Sequence, residues 1–315
     1  MKKLFLLCLL VGLFITAWLK VSVYNPVMLA DKTEVLIAKG ATSGEVASRL
    51  FEAGIIKNPW LFKIFARIKG LDKHLRAGEY EFEKAVSMAD VVEKIYNGDV
   101  LYRRITLPEG LTTVQMLELI KNNEFLVGDI SVSVGEGDLL PETYTFFRGE
   151  SRDNIVLQAK RAMQQELENA WNNRDEYIPV KNKKELLVLA SIIEKETGLP
   201  EERGLVASVF VNRLRKGMRL QTDPTVIYAI TKGQKELGRL LTKTDLAIDS
   251  PYNTYKYYGL PPTAICNPGK NALNAAAKPE ISDFLYFVAS GNGGHNFAFS
   301  LREHNNNVLK WKNKK

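Results

Sequence analysis

The sequence predicts an α+β protein in three parts: an N-terminal apolar helix, a small βα unit and a C-terminal mixed α+β domain. Three observations carry this. An unbroken apolar run from Leu4 to Leu19 follows two lysines. Short alternating strands and amphipathic helices succeed one another through residues 31–100. From Lys183 onward, an almost wholly apolar helix opens a stretch of helices, aromatic loop and glycine hairpin. A chain of 315 residues with 45% hydrophobic content has room for two cores.

The first element is the apolar run. Val21 and Val23 extend it past Lys20, whose ammonium can snorkel to the boundary. Such a segment is either a cleaved signal peptide or a retained transmembrane helix. Ile15 before Thr16-Ala17 and Met28 before Ala30 spoil the small-x-small cleavage pattern, which favours retention. Lys2 and Lys3 hold the short tip in the cytoplasm. Residues 1–23 are therefore expected to be a cytoplasmic tip and single-pass anchor in the cell inner (cytoplasmic) membrane, with the body extracytoplasmic, in the periplasm. Cys8 lies in that run and Cys266 is alone in the body, so no internal disulfide is expected.

Residues 31–100 come next. EVLIA reads as a strand, TSGEVASRLFEAG as an amphipathic helix, and NPWLFKIFARIKG as a second helix opened by Asn58-Pro59 and stopped by Gly70. AGEYEFE alternates as a strand, SMADVVEKIYNG is a third helix, and VLYRRITL another strand. Val35-x-Ile37-x-x-Gly40-x-Thr42-Ser43 reappears 70 residues later as Ile105-x-Leu107-x-x-Gly110-x-Thr112-Thr113, each before a hydroxyl-capped helix. Strand, glycine, threonine, helix resembles a LysM-type module, which implies contact with the sugar backbone of peptidoglycan. A βα unit that only positions its neighbour has the same pattern.

Residues 101–182 read as a connecting βα region and a long helix, roughly 152–171, with Ile155, Ala159, Ala162 and Leu167 inward. Residues 183–315 form the last domain. Its first helix ends in Glu194-Lys195-Glu196-Thr197, before Gly198 and Pro200. The two glutamates point about 200° apart on a helical wheel. Glu196 stacks on Ile193, Ile192 and Leu189, a bulky apolar wall that desolvates a carboxyl and raises its pKa. The negative end of the helix dipole pushes the same way. A carboxyl protonated near neutral pH is what a glycosidic bond needs from a general acid. The competing reading pairs both glutamates with Arg203 or Arg213 at the solvent boundary.

Downstream, Gln221, Thr222 and Asp223 occupy a turn before Pro224. The loop SPYNTYKYYGLPPTAICNPG is dense in tyrosine, asparagine and proline, and His295 follows a glycine hairpin. Aromatic faces and amides suit a sugar groove. LASIIEKETG, SVFVNRLRKGMRLQTDPTVIY, this loop and YFVASGNGGHNFAFS, in that order, resemble the endolytic murein transglycosylase family, also called YceG-like. The resemblance implies an inner-membrane lyase that cuts nascent peptidoglycan strands internally and leaves 1,6-anhydro-N-acetylmuramic acid ends. It places the catalytic glutamate on Glu196, and it points to peptidoglycan synthases (penicillin-binding proteins) as partners. The expected substrate-binding residues are Gln221, Asp223, Tyr252, Asn253, Tyr255, Asn267 and His295. Glu142, in LPETY, stands where the family carries aspartate.

Other chemistries find less in the sequence. His74, His295 and His304 have no metal-ligand spacing, so neither metal nor cofactor is expected. Cys266 with His295 lacks an orienting third group for a thiol nucleophile. Gly291–Gly294 precedes a strand, not the helix a phosphate cradle needs. The net charge of +7 suits an anionic surface, but export and the lack of a concentrated basic face argue against nucleic acid. Two alternatives stay open: a non-catalytic peptidoglycan-binding scaffold, and a muramidase-type hydrolase using Asp223 as its second carboxylate.

Overall fold

The computed structural model describes residues 2–71 and 74–313, without the side chains of residues 2–5 and Cys8. It divides into two compact units: residues 1–103 with 145–150, and residues 104–144 with 151–315.

In the first unit α1 (Lys2–Tyr24) leads to β1 (Val27–Met28), β2 (Thr33–Ile37), α2 (Ser43–Glu52) and α3 (Pro59–Ile68). β3 (Gly78–Phe82), β4 (Ala85–Val86) and α4 (Met88–Asn97) complete it. β2 pairs antiparallel with β3, Val35 opposite Tyr80, giving the predicted strand-helix-helix-strand order. Val35 and Ile37 point inward to Leu50, Phe62, Tyr80 and Ile95. Burial on one face of each helix holds this small core, at roughly 1.5–3 kcal/mol per large apolar side chain. Asn58 caps α3 through Leu61 N at 3.0 Å, and Pro59 opens the helix where no N–H is needed.

Apart from Cys8, the side chains of α1 from Leu6 to Val21 are largely exposed, and Val23 joins the core. Among the described residues no helix is long and apolar enough to cross a membrane. The predicted span of Leu4 to Val23 includes Leu4, Phe5 and Cys8, whose side chains lie outside the described residues.

The division between the units falls within β5 (Tyr102–Thr106) and β6 (Thr143–Phe147), which pair with each other. α5 (Thr113–Lys121) lies between them in sequence. Then follow α6 (Arg152–Asn172), α7 (Lys183–Glu196), α8 (Arg203–Arg215), α9 (Asp223–Thr231) and α10 (Lys270–Ala277). A hairpin of β7 (Tyr286–Ala289) and β8 (His295–Ala298) precedes α11 (Leu301–Lys312). α7 is the axis of the second unit. Its residues Leu186 to Ile193 are all buried, against Val206 and Phe210 of α8, Leu273 and Ala276 of α10, and Met163 of α6.

The repeat seen 70 residues apart is a repeat of geometry. Thr42 and Thr112 each cap a helix, and Glu45 and Gln115 return the bond to the threonine N–H in two complete capping boxes. Gly40 and Gly110 precede them at φ 82° and 73°, a conformation that favours glycine.

Candidate active site

The site is built where α7 ends. Glu196 is its last helical residue, because Thr197 turns extended at φ −144° and ψ 132°. The carboxyl then meets the turn before α9. The Thr222 hydroxyl donates to Glu196 Oε1. Thr222 is the N-cap of α9 yet makes no capping bond there, forgoing about 1 kcal/mol of helix stability. Its neighbour Gln221 is held at φ 51°, strained for a residue with a Cβ. Thr254 enforces both: its carbonyl accepts from Gln221 N at 3.1 Å, and its hydroxyl from Thr222 N at 3.1 Å.

Desolvation pushes the Glu196 carboxyl up to about 7. The negative charge of Asp223 adds to that, while the Thr222 bond and the charges of His295 and Arg213 oppose it. Arg213 is buried, and its own pKa is lowered by burial. Its guanidinium bonds mainly to main chain: Nε donates to Leu285 O at 2.6 Å, and Nη1 to Leu220 O at 2.7 Å, to Arg219 O at 3.2 Å and to Gln221 Oε1 at 3.4 Å. A cleft of about 500 Å³ opens above this group, lined by Glu196, Arg213, Gln221, Asp223, Tyr255 and Tyr286 among others. The Tyr255 hydroxyl donates to Asp223 Oδ1 at 2.6 Å. Glu196, Gln221, Asp223 and Tyr255, named from sequence, are therefore brought together in one cleft.

With the cleft and its carboxyl defined, comparison with known proteins places the chain. Residues 35–310 match the YceG-like family. The chain belongs to that family. It is 32% identical over 317 aligned residues to the endolytic murein transglycosylase of Bacillus subtilis (strain 168), covering 90% of this chain and 86% of that one. Identity to the endolytic murein transglycosylase of Streptococcus pneumoniae (serotype 2, strain D39) is 28%, over 89% of this chain but only 58% of the longer relative. A YceG-like protein of Listeria monocytogenes, known from its crystal structure, shares 32% identity at a TM-score of 0.54, covering 88% of this chain and 99% of that one.

In this YceG-like chain the remaining predicted residues lie elsewhere. His295 turns to Glu202, with Nδ1 at 2.7 Å from Oε2 and its backbone N–H donating to Oε1 at 2.8 Å. It stands edge-on to Phe287 and influences Glu196 only by charge. Tyr252 bonds Thr263 through its hydroxyl at 2.7 Å and packs on the Tyr228 ring at 5.0 Å. Asn253 and Asn267 are fully buried, away from the groove expected for them. Asn253 Nδ2 donates to Leu246 O and Ile248 O. Asn267 Nδ2 donates to Leu111 O, and its Oδ1 accepts from Leu139 N. A buried amide satisfies main chain that would otherwise be orphaned, so these two order loops. Glu142 is exposed and pairs with Lys270 at 3.1 Å.

Sequence reasoning passed over Thr222 as an acid-orienting group, and Arg213, Tyr286 and His304 as cleft residues. Thr222 stands in the same turn as Gln221 and Asp223, and in sequence Arg213 reads only as an ion-pair partner. Tyr286 opens the YFVASGNGGHNFAFS stretch with no mark of a cleft role, and His304, stacked on it at 5.2 Å, lies outside the motifs.

Glu194 takes a different side of α7, accepting from Gly269 N at 3.1 Å, with its carboxyl pushed up by burial and by Glu109. Glu194→Gln should therefore keep cleavage within about tenfold of the parent, since no proton transfer is removed. Turnover on purified glycan strands checks this, and a dead Glu194→Gln enzyme would move the acid to Glu194.

Proposed function

We propose that the chain is an endolytic peptidoglycan lytic transglycosylase. It cuts the N-acetylmuramic acid–N-acetylglucosamine bond within nascent strands, leaves 1,6-anhydro-N-acetylmuramic acid ends, and so terminates elongation. Relatives named endolytic murein transglycosylase support the class of enzyme. The observation that carries the chemistry is the Glu196 carboxyl, desolvated to about 7 on the wall of an open cleft.

Thr222 occupies Oε1, which leaves Oε2 to carry the proton. Glu196 gives that proton to the bridging oxygen as positive charge develops at the anomeric carbon. As a carboxylate it then takes the proton of the muramyl 6-hydroxyl, whose oxygen closes on the same carbon. One carboxyl serves both steps, and no water is consumed. Digestion of purified strands, with mass spectrometry of the new ends, tests this. Anhydro ends are expected. Reducing muramyl ends would indicate a hydrolase, with Asp223 the first base to suspect, and strand binding without new ends would indicate a scaffold.

The same reading puts α1 across the inner membrane, with the chain after it on the periplasmic side and peptidoglycan synthases within reach. Leu6, Leu7, Leu9, Leu10, Leu13 and Phe14 are all about half exposed or more, a surface suited to lipid. After an alkaline wash the full-length protein should stay with the membrane fraction. Release of a shortened soluble form would overturn the anchor.

The βααβ part of the first unit is assigned as a LysM-like strand-binding module. Deleting residues 31–100 should raise the substrate concentration for half-maximal cleavage while anhydro ends remain detectable. Loss of all cleavage by a truncated protein that still melts cooperatively would count against a purely binding role.

A further inference from the structure

We propose that α3 lies on the lipid surface that α1 enters, holding the first unit flat against the membrane. This rests on the reading of α1 as an anchor and goes beyond it. α3 has two apolar faces. Leu61, Phe62 and Ala66 fill the core of the unit. On the other side Trp60, Ile64 and Ile68 recur every fourth residue and are exposed at 65%, 37% and 75%.

The charged residues of α3 and its two ends are all cations. Lys57, Lys63, Arg67 and Lys69 are exposed beside it, and α3 contains no acidic residue. An apolar stripe flanked by cations is the pattern of a helix lying in the headgroup region of an anionic bilayer. A second copy is a poor occupant, because a two-fold contact would set these cations against each other.

Contact with α1 sets α3 beside the end of that helix. Trp18, Val21 and Ser22 of α1 line one groove of about 440 Å³ with Lys57, Asn58 and Leu61. Tyr24, at the end of α1, meets Phe65 edge-on at 6.4 Å. α3 therefore runs beside the last turns of α1, a stretch of about 9 Å from Trp18 to Tyr24. Those two aromatics are the type that marks a membrane–water boundary. Trp60, next to the groove-lining Leu61, starts α3 beside that boundary.

Single-tryptophan forms of the full chain test this in vesicles of mixed phosphatidylglycerol and phosphatidylcholine. Trp18→Phe, Trp171→Phe and Trp311→Phe together leave Trp60; Trp60→Phe with the latter two leaves Trp18. Lipids brominated near the headgroup should quench both at least twofold and shift both emissions to the blue. Lys63→Glu with Arg67→Glu should weaken the Trp60 signal and leave Trp18 unchanged. Trp60 unquenched while Trp18 is quenched would overturn the proposal and spare the anchor. Trp18 unquenched would overturn both. Trp60 shielded only when other membrane proteins are added would assign the face to a protein and overturn the lipid reading.

Discussion

Glu196→Gln should abolish strand cleavage and leave the fold standing. The amide keeps the shape and can still accept from Thr222, but it has no proton to deliver. General acid–base assistance is worth roughly two to four powers of ten, and here one group serves both steps, so the loss should reach at least the upper end of that range. A folded Glu196→Gln enzyme that still makes anhydro ends would refute the assignment. The parent's pH profile follows from the same burial. The acid must enter the reaction protonated, so activity should fall as pH rises through about 7. Asp223→Asn removes a negative charge that keeps the proton on Glu196, and should move that limb to lower pH. Stability carries the matching sign. The folded state holds the Glu196 proton up to about 7 and the unfolded chain only to 4.5, so this group's contribution declines as pH rises between those values. Melting temperatures of parent and Glu196→Gln across that window should converge at the acid end and separate toward pH 7, with the glutamine form the more stable.

Arg213→Met should cost about 3–5 kcal/mol of stability, the largest loss expected of any single change near the cleft. Three main-chain carbonyls lose their donor: that of Leu220 is buried, where water does not replace it, and those of Arg219 and Leu285 are half-buried. The Tyr286 ring also loses the guanidinium lying 4.9 Å from its centre. Denaturant titration measures the change, and a loss below about 1 kcal/mol would show that these bonds do not hold the turn. Arg213→Lys separates structure from electrostatics. It keeps a cation near Glu196 without the planar fork, so stability should drop while the pH limb stays close to the parent's. In Arg213→Met that limb should instead move to higher pH, because a charge favouring the carboxylate is gone.

Both predictions depend on contacts that join residues far apart in sequence, and that marks the boundary of what the sequence determined by itself. Local chemistry was readable without coordinates. The Thr42–Glu45 and Thr112–Gln115 capping boxes act within four residues, so their repeat at an offset of 70 could be seen directly. The apolar run of α7 required a buried helix, and helical geometry alone sent Glu194 and Glu196 to different sides. The Gly291–Gly294 stretch required the β7–β8 hairpin. Only the tertiary structure decided what each polar side chain does once these elements pack. Thr222 gives up its own helix cap to hold a carboxyl 26 residues away. Asn253 and Asn267, whose composition suited a sugar groove equally well, are drawn inside because loop carbonyls and amides there have no water to bond. His295 is taken by Glu202, 93 residues distant, while Tyr286 and His304 reach the cleft only because β7 packs on α8 and α11 packs on β7. A polar residue's partner is set by which backbone groups and charges packing leaves unsatisfied beside it, and that depends on the whole fold rather than on its neighbours in sequence.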